Sequence, residues 1–186
     1  MNVYDFDRTI YNGDSSVDFY LFVLWKKPYL IILLPFQAFG MLLYLLNVYL
    51  KERMKETFFV FLRFIPAQEM VSFFWKQNIG KIKTWYLNQM QNTDVIISAS
   101  PEFLLAPLVR GQLNVTLIAS EIDAKTGRFF GKNCYGQEKV TRLNAMYPKA
   151  VISNFYSDSY TDVPLAVMAK NAFWVDGNTI VKWEIT

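Results

Sequence analysis

The chain has 186 residues, a net charge of +3, no histidine and a single cysteine. Without histidine there is no Ser-His-Asp triad, no histidine general base and no His-x-x-x-His zinc helix; the lone Cys134 leaves no intrachain disulfide or cysteine-rich metal site and reads as a small buried apolar residue. Acids and bases are mixed through the second half, so the charge gives no reason to expect nucleic-acid binding, and no glycine-rich dinucleotide or P-loop motif occurs.

In chain order, a short apolar strand from Met1 runs into Asp5-Phe6-Asp7-Arg8-Thr9. Carboxylates at i and i+2, where a strand gives way to a loop, can both enter one pocket, one attacking and the other moving protons. Asp14-Ser15-Ser16 then offers the N-cap of a first helix. Tyr29 to Leu50 is a run of 22 residues without a charge. Further helices are predicted over Met54 to Phe64 and Gln68 to Tyr86, with Pro66 as the break between them.

After residue 93 short apolar strands and helices alternate: a strand over Val95 to Ser98, a helix over Pro101 to Arg110, a strand over Asn114 to Ser120 and a helix over Gln137 to Tyr147. Then follow a strand over Ala150 to Tyr156, a helix over Thr161 to Lys170, and strands at Ala172 to Val175 and Thr179 to Trp183, with Asp176-Gly177-Asn178 as the last turn. This alternation predicts an α/β fold with a parallel sheet covered on both faces, its ligand site at the carboxyl ends of the strands. Asp5, Ser98 and Asp158 would all fall there.

Singly, these residues have plain structural readings. Asp158 or Asp162 after a strand is a turn former or helix cap, Lys139 a solvated helix residue, and Ser98, ahead of Pro101, a helix start. Together, Asp5-x-Asp7-x-Thr9, then Ser98, then Lys139 in CYGQEKVTRL, then Asp158-x-x-x-Asp162, resemble the haloacid dehalogenase superfamily of phosphohydrolases over nearly the whole chain. LIASEI, NCYGQEKVTRL and YSDSYTD resemble its subfamily IB, the phosphatidylglycerophosphatase C-like relatives of phosphoserine phosphatase. Ser98-Ala99-Ser100 and Ser157-Asp158-Ser159 depart from the Ser-Gly-Gly and Gly-Asp patterns usual in phosphoserine phosphatases.

The resemblance implies a Rossmann-like parallel sheet core at 1–13 and 91–186, with a helical (C1-type) cap, 14–90, inserted after the first strand. It implies an Mg²⁺-dependent phosphomonoester hydrolase in which Asp5 is the nucleophile, forming an aspartyl-phosphate, and Asp7 the general acid and base. Mg²⁺ would be held by Asp5, the Asp7 carbonyl and Asp158, with Asp162 binding that shell or orienting Lys139. Lys139 would neutralise charge, while Thr9, Ser98 and Ala99 would meet the phosphoryl group. Asp14 falls where phosphoserine phosphatase reads its substrate amine. Arg8, Asp14 and Ser100 stand between substrate contact and local structure.

The charge-free segment 29–50 is long enough to span a bilayer as one helix. A single crossing would put Asp5 on the opposite side from Ser98, Lys139 and Asp158. The expectation is therefore a re-entrant or interfacial hairpin, broken at Pro35 and Gly40, with Lys26 and Lys27 at one end and Lys51, Arg53 and Lys55 at the other, on the anionic cytoplasmic leaflet. A buried cap pair or a dimer interface is the alternative; no oligomeric state is read. With nothing ahead of the first strand to serve as a signal peptide, the catalytic half is expected on the cytoplasmic side of the membrane, or free in the cytoplasm. The substrate is expected to be a lipid-borne phosphate such as phosphatidylglycerophosphate. The alternatives are a soluble phosphate such as phosphoserine, or a membrane-associated interaction protein with little turnover.

Overall fold

The computed structural model describes residues 1–149 and 151–184. Ala150, predicted as the first residue of a strand, and the last two residues of the predicted core lie outside the described residues.

Among the described residues six strands form one sheet: β1 (Asn2–Tyr4), β2 (Val95–Pro101), β3 (Thr116–Ser120), β4 (Ile152–Ser157), β5 (Ala169–Asp176) and β6 (Thr179–Lys182). Their order is β3-β2-β1-β4-β5-β6, with every neighbouring pair parallel except β5 and β6. From β1 the chain builds outward to β2 and β3, then returns to place β4 on the other side of β1. That reversal puts a crevice beyond the carboxyl end of β1, where ligands bind in open α/β sheets.

Both faces of the sheet are covered, which explains the near-continuous apolar strands. Because successive side chains point to opposite faces, Val3 and Tyr4 enter different cores. Val3, Val95, Ile97 and Phe155 pack against Leu143 of α7 (Gln137–Met146) and Leu165 of α8 (Val163–Ala166). Tyr4, Ile96 and Leu117 join the larger core, with Phe19 of α1 (Ser15–Lys26), Phe74 and Trp75 of α4 (Ala67–Asn78) and Leu104 of α6 (Glu102–Leu108).

Between β1 and β2 lie α1, α2 (Leu34–Leu45), α3 (Lys51–Phe58), α4 and α5 (Thr84–Gln89). Asp14 caps α1 as its sequence suggests, accepting from the Ser16 and Val17 amides at 3.1 Å. The helix predicted over Gln68 to Tyr86 is interrupted, because Ile82 bridges to Tyr11 and the Lys83 amide donates to the Ile10 carbonyl. These two short stretches tie the exit from the sheet to the return into it. The helix predicted to Lys170 ends early, because β5 already pairs with β4 at Ala169.

The segment 29–50 is not a hairpin broken at Pro35 and Gly40. A 3₁₀ turn (Pro28–Leu33) leads into α2, with Pro35 in its first turn, where a missing amide costs nothing. Together they make an 18-residue helical span long and apolar enough to cross a membrane by length and composition, only 11% buried. Gly40 lies mid-helix because α3 approaches there: a Cβ on it would stand 2.2 Å from Thr57 Oγ1. The inward residues of α2 are Gln37 and Gly40. Gln37 accepts from the Tyr20 hydroxyl and donates to the Phe58 carbonyl. Outward stand Phe36, Phe39, Leu42 and Leu45. This helix is polar or small toward the protein and apolar toward the outside, the reverse of an ordinary surface helix.

Candidate active site

Asp5 follows β1 directly, its amide donating to the Tyr156 carbonyl of β4 at 2.9 Å. This bond holds the carboxylate at the sheet's carboxyl edge, facing a cavity of about 470 Å³. Ser98 reaches the same cavity from β2, at the register shift before Pro101, and Asp158 from the residue after β4. Lys139 comes from the first turn of α7, entered through Gly136 at φ 55°, a left-handed backbone suited to glycine.

Lys139 Nζ stands 2.7 Å from Asp5 Oδ1 and 2.7 Å from Asp162 Oδ2. The Ser157 hydroxyl also donates to Asp162 Oδ2, at 2.8 Å. Burial works against the Lys139 ammonium, but Asp5 and Asp162 outweigh it and hold lysine protonated well above its ordinary range. Burial pushes the Asp5 carboxyl up to about 8 against the pull of Lys139, with Asp162 adding repulsion. One ammonium thus faces two carboxylates.

Asp7 is held differently. Its Oδ1 accepts from the Ser15 amide at 2.6 Å and its Oδ2 from the Ser100 hydroxyl. Burial, with Asp14 adding repulsion, pushes its carboxyl up to about 6, against the pull of the Ser100 and Ser15 bonds. A carboxyl near 6 takes up and gives back protons readily around neutrality. Thr9 ties two motifs together: its hydroxyl accepts from the Asp158 amide at 3.1 Å and donates to Asp158 Oδ1 at 3.2 Å. Burial pushes the Asp158 carboxyl up as well, with the Thr9 bond opposing.

The donor set fits a hard divalent cation. Asp5 and Asp158 offer carboxylate oxygens to one cavity, and the buried Asp162 Oδ1 has no hydrogen-bond partner. Among the described residues no group of three carboxylate, histidine or cysteine side chains forms a metal cluster. A cation held by two carboxylates and a backbone carbonyl would complete its shell with water or substrate oxygen, as Mg²⁺ commonly does.

The fold thus brings Asp5, Asp7, Asp14, Ser98, Ala99, Lys139, Asp158 and Asp162 to one cavity, with Thr9 buried against Asp158. Asp14 spends one carboxylate oxygen on capping α1, and the Ala99 carbonyl accepts from Lys55 Nζ at 2.8 Å. Ser98 Oγ accepts from the Ser100 amide at 3.0 Å. Sequence reasoning missed three groups here: Ser100 as the partner of Asp7, Ser157 as that of Asp162, and the lysines of α3. Lys55, expected to flank a membrane segment, turns into the cavity instead, and Lys51 lines it too. Their i,i+4 spacing, which places both on one helix face, was the available signal.

A strand-end pair of aspartates, a lysine bridging two carboxylates and a parallel sheet reversing at that point make up the candidate active site of a doubly wound α/β fold. The family model for haloacid dehalogenase-like hydrolases matches residues 3–166, and the chain belongs to that family. No curated protein matches the chain. Among solved structures it resembles a protein of unknown function from Bordetella pertussis Tohama I, with TM-score 0.70 and 20% identity over 92% of this chain and 87% of that one. It also resembles a haloacid dehalogenase family hydrolase from Salmonella enterica serovar Typhi, with TM-score 0.59 and 9% identity over 90% and 59% of the two chains. A phosphoserine phosphohydrolase-like protein from Francisella tularensis aligns with TM-score 0.53 and 14% identity over 92% and 86%. At such identities these three speak for the fold.

Proposed function

We propose that the protein is an Mg²⁺-dependent phosphomonoester phosphatase working at a membrane surface on a lipid-borne phosphate such as phosphatidylglycerophosphate. The chemistry rests on one observation: Asp5 and Asp7 share a cavity in which Lys139 bridges Asp5 to Asp162. An Asp5 oxygen attacks phosphorus, and the bond from phosphorus to the leaving oxygen breaks. Asp7 gives its proton to that oxygen. Asp7 then takes a proton from the water that attacks the aspartyl-phosphate, returning inorganic phosphate and free Asp5. Lys139, held by Asp162 and Ser157, offsets charge on the attacking carboxylate and the phosphoryl oxygens. Asp5, the Asp7 carbonyl and Asp158 would hold Mg²⁺, which when bound neutralises phosphoryl charge.

The choice of a lipid rests on α2 and on the cavity wall. The insertion between β1 and β2 would act as a cap, and Met41 of α2, Met54 and Phe58 add apolar lining to the cavity that holds the acids. The same helix exposes Phe36, Phe39, Leu42 and Leu45, beside exposed Trp25, Tyr29 and Leu50. An apolar surface of this extent marks an interaction site, and aromatic residues with Lys26 and Lys27 suit the headgroup region of an anionic leaflet. These features support a place on the cytoplasmic face of the cell membrane, with this helix lying in the interface, and kinship with the phosphatidylglycerophosphatase C-like branch. The test is phosphate release with Mg²⁺ from phosphatidylglycerophosphate in mixed micelles beside phosphoserine, with Asp5→Asn as control. Asp5-dependent preference for the lipid is expected; preference for phosphoserine would overturn the lipid assignment.

A further inference from the structure

Helix α3 sends two lysines, Lys51 and Lys55, into the cavity that also holds Lys139 and its carboxylates. Lys55 Nζ meets two neutral acceptors, the Ala99 carbonyl at 2.8 Å and Asn133 Oδ1 at 2.9 Å. Lys51 Nζ lies 3.2 Å from the centre of the Tyr135 ring. Among the described residues neither lysine forms an ion pair. The acids of the same helix are spent elsewhere. Glu52 accepts from the Asn133 amide, and Glu56 accepts from the Phe129 amide and pairs with Arg53.

Asp7, bonded to Ser15 and Ser100, and Asp14, capping α1, attract Lys55 without pairing with it. An ammonium withdrawn from water with only neutral groups in direct contact gains when a counter-charge arrives with something that binds. The phosphoryl group under attack already has its own cation in Lys139. We propose that Lys55, assisted by Lys51, forms a second anion subsite, which takes an acidic group of the substrate other than the phosphate being hydrolysed. The chemical class is a phosphomonoester carrying a second oxyanion, either a phosphodiester or a carboxylate. This rests on the phosphatase reading and narrows it to substrates with two acidic groups.

Lys55→Met keeps length and packing while removing the charge. The kinetic test compares wild type with Lys55→Met on p-nitrophenyl phosphate, which has no second anion, on glycerophosphoglycerol phosphate, which has a diester, and on phosphoserine, which has a carboxylate. Loss of one charge-assisted contact should lower kcat/KM for the matching two-anion substrate, relative to p-nitrophenyl phosphate, by about tenfold through KM, with Lys55→Arg restoring most of it. The arm that falls identifies the anion. An unchanged ratio on both arms, or an equal loss on all three compounds, overturns the subsite.

Binding without turnover separates this from the catalytic reading. Millimolar glycerophosphoglycerol, a diester with nothing to hydrolyse, or serine, a carboxylate without phosphate, should raise the melting temperature of the wild-type protein. Lys55→Met should lose that rise. A rise that survives in Lys55→Met, or none in wild type with either compound, overturns the subsite. A Lys55-dependent rise in a protein that hydrolyses none of the esters would instead sink the phosphatase reading and leave the subsite standing.

Discussion

Asp5 and Asp7 sit two residues apart, yet their surroundings differ in the way the proposed nucleophile and proton carrier require. Asp5 is ion-paired to a lysine that Asp162 also holds, whereas Asp7 meets only neutral donors, Ser15 and Ser100. An attacking carboxylate gains from a cation at its side; a proton carrier gains from a pKa close to neutrality, and of the two carboxyls it is Asp7 that stands near 6 without a paired cation. Asp5→Asn should therefore abolish steady-state phosphate release while leaving the circular dichroism spectrum intact, since the amide fills the same space. Asp7→Asn should lower kcat by about 10²- to 10⁴-fold, the usual worth of a positioned acid or base, with a smaller loss on substrates whose leaving group needs no proton.

Lys55 supplies a pH test. Burial pushes its ammonium down to about 8, and Lys51 adds repulsion, against the attraction of Asp7, Asp14 and Glu52. Its charge is therefore present below pH 8 and lost above it, so KM for a substrate with two anions should rise as pH passes about 8. Stability runs the other way. A lysine whose folded pKa lies below its unfolded value costs the fold most while charged, and that cost disappears between about 8 and the ordinary lysine value near 10.4. Titrations of KM and of urea midpoint on wild type and Lys55→Met check both signs.

At the scale of elements, the contact between α2 and α3 depends on Gly40. With Thr57 Oγ1 only 2.2 Å from where a Cβ would stand, and Thr57 Cβ at 2.8 Å, Gly40→Ala must push the helices apart. Overpacking of this kind costs about 1–3 kcal/mol and should appear as a lower urea midpoint. Moving α2 also shifts Met41 in the cavity wall, so KM should change with stability. Two elements differ from their sequence prediction for tertiary reasons. The helix over Gln68 to Tyr86 gives way where Ile82 and Lys83 bond back to the loop after β1, and the helix toward Lys170 gives way to pairing between β4 and β5. Local periodicity is blind to a strand or loop partner, whether it is 71 residues away, as Tyr11 is from Ile82, or 17, as Ile152 is from Ala169.

Across the whole molecule, an acid-bearing cavity at the carboxyl edge of the sheet lies beside the apolar exterior of the insertion. If that exterior rests on lipid, replacing outward residues alone should detach the protein without unfolding it. Phe36, Phe39 and Leu45 are all more than half exposed, so the triple substitution to serine removes little core packing. The variant should remain in the supernatant when vesicles of phosphatidylglycerol and phosphatidylcholine are sedimented, while wild type pellets with them. Co-sedimentation at the wild-type level would remove the membrane assignment. Raised salt should weaken wild-type binding only partly, because the apolar contribution is not screened.

The sequence by itself determined the strand-and-helix alternation and the order of Asp5, Ser98, Lys139 and Asp158 along it. In a parallel sheet, residues at successive strand ends converge whatever the intervening chain does, so their meeting was legible before any coordinates. It also showed that 29–50 carries no charge. Only the tertiary structure decided that this segment runs through Gly40 as a helical span ending at Leu45, with its apolar side outward, because that placement rests on Thr57 meeting Gly40 and on Tyr20 and Phe58 engaging Gln37. It likewise decided that Lys55 enters the cavity and that Ser100 holds Asp7. Those contacts join residues 44 to 93 positions apart, and a side chain's partner at such separation is set by how helices dock on the sheet, a geometry that no local pattern encodes.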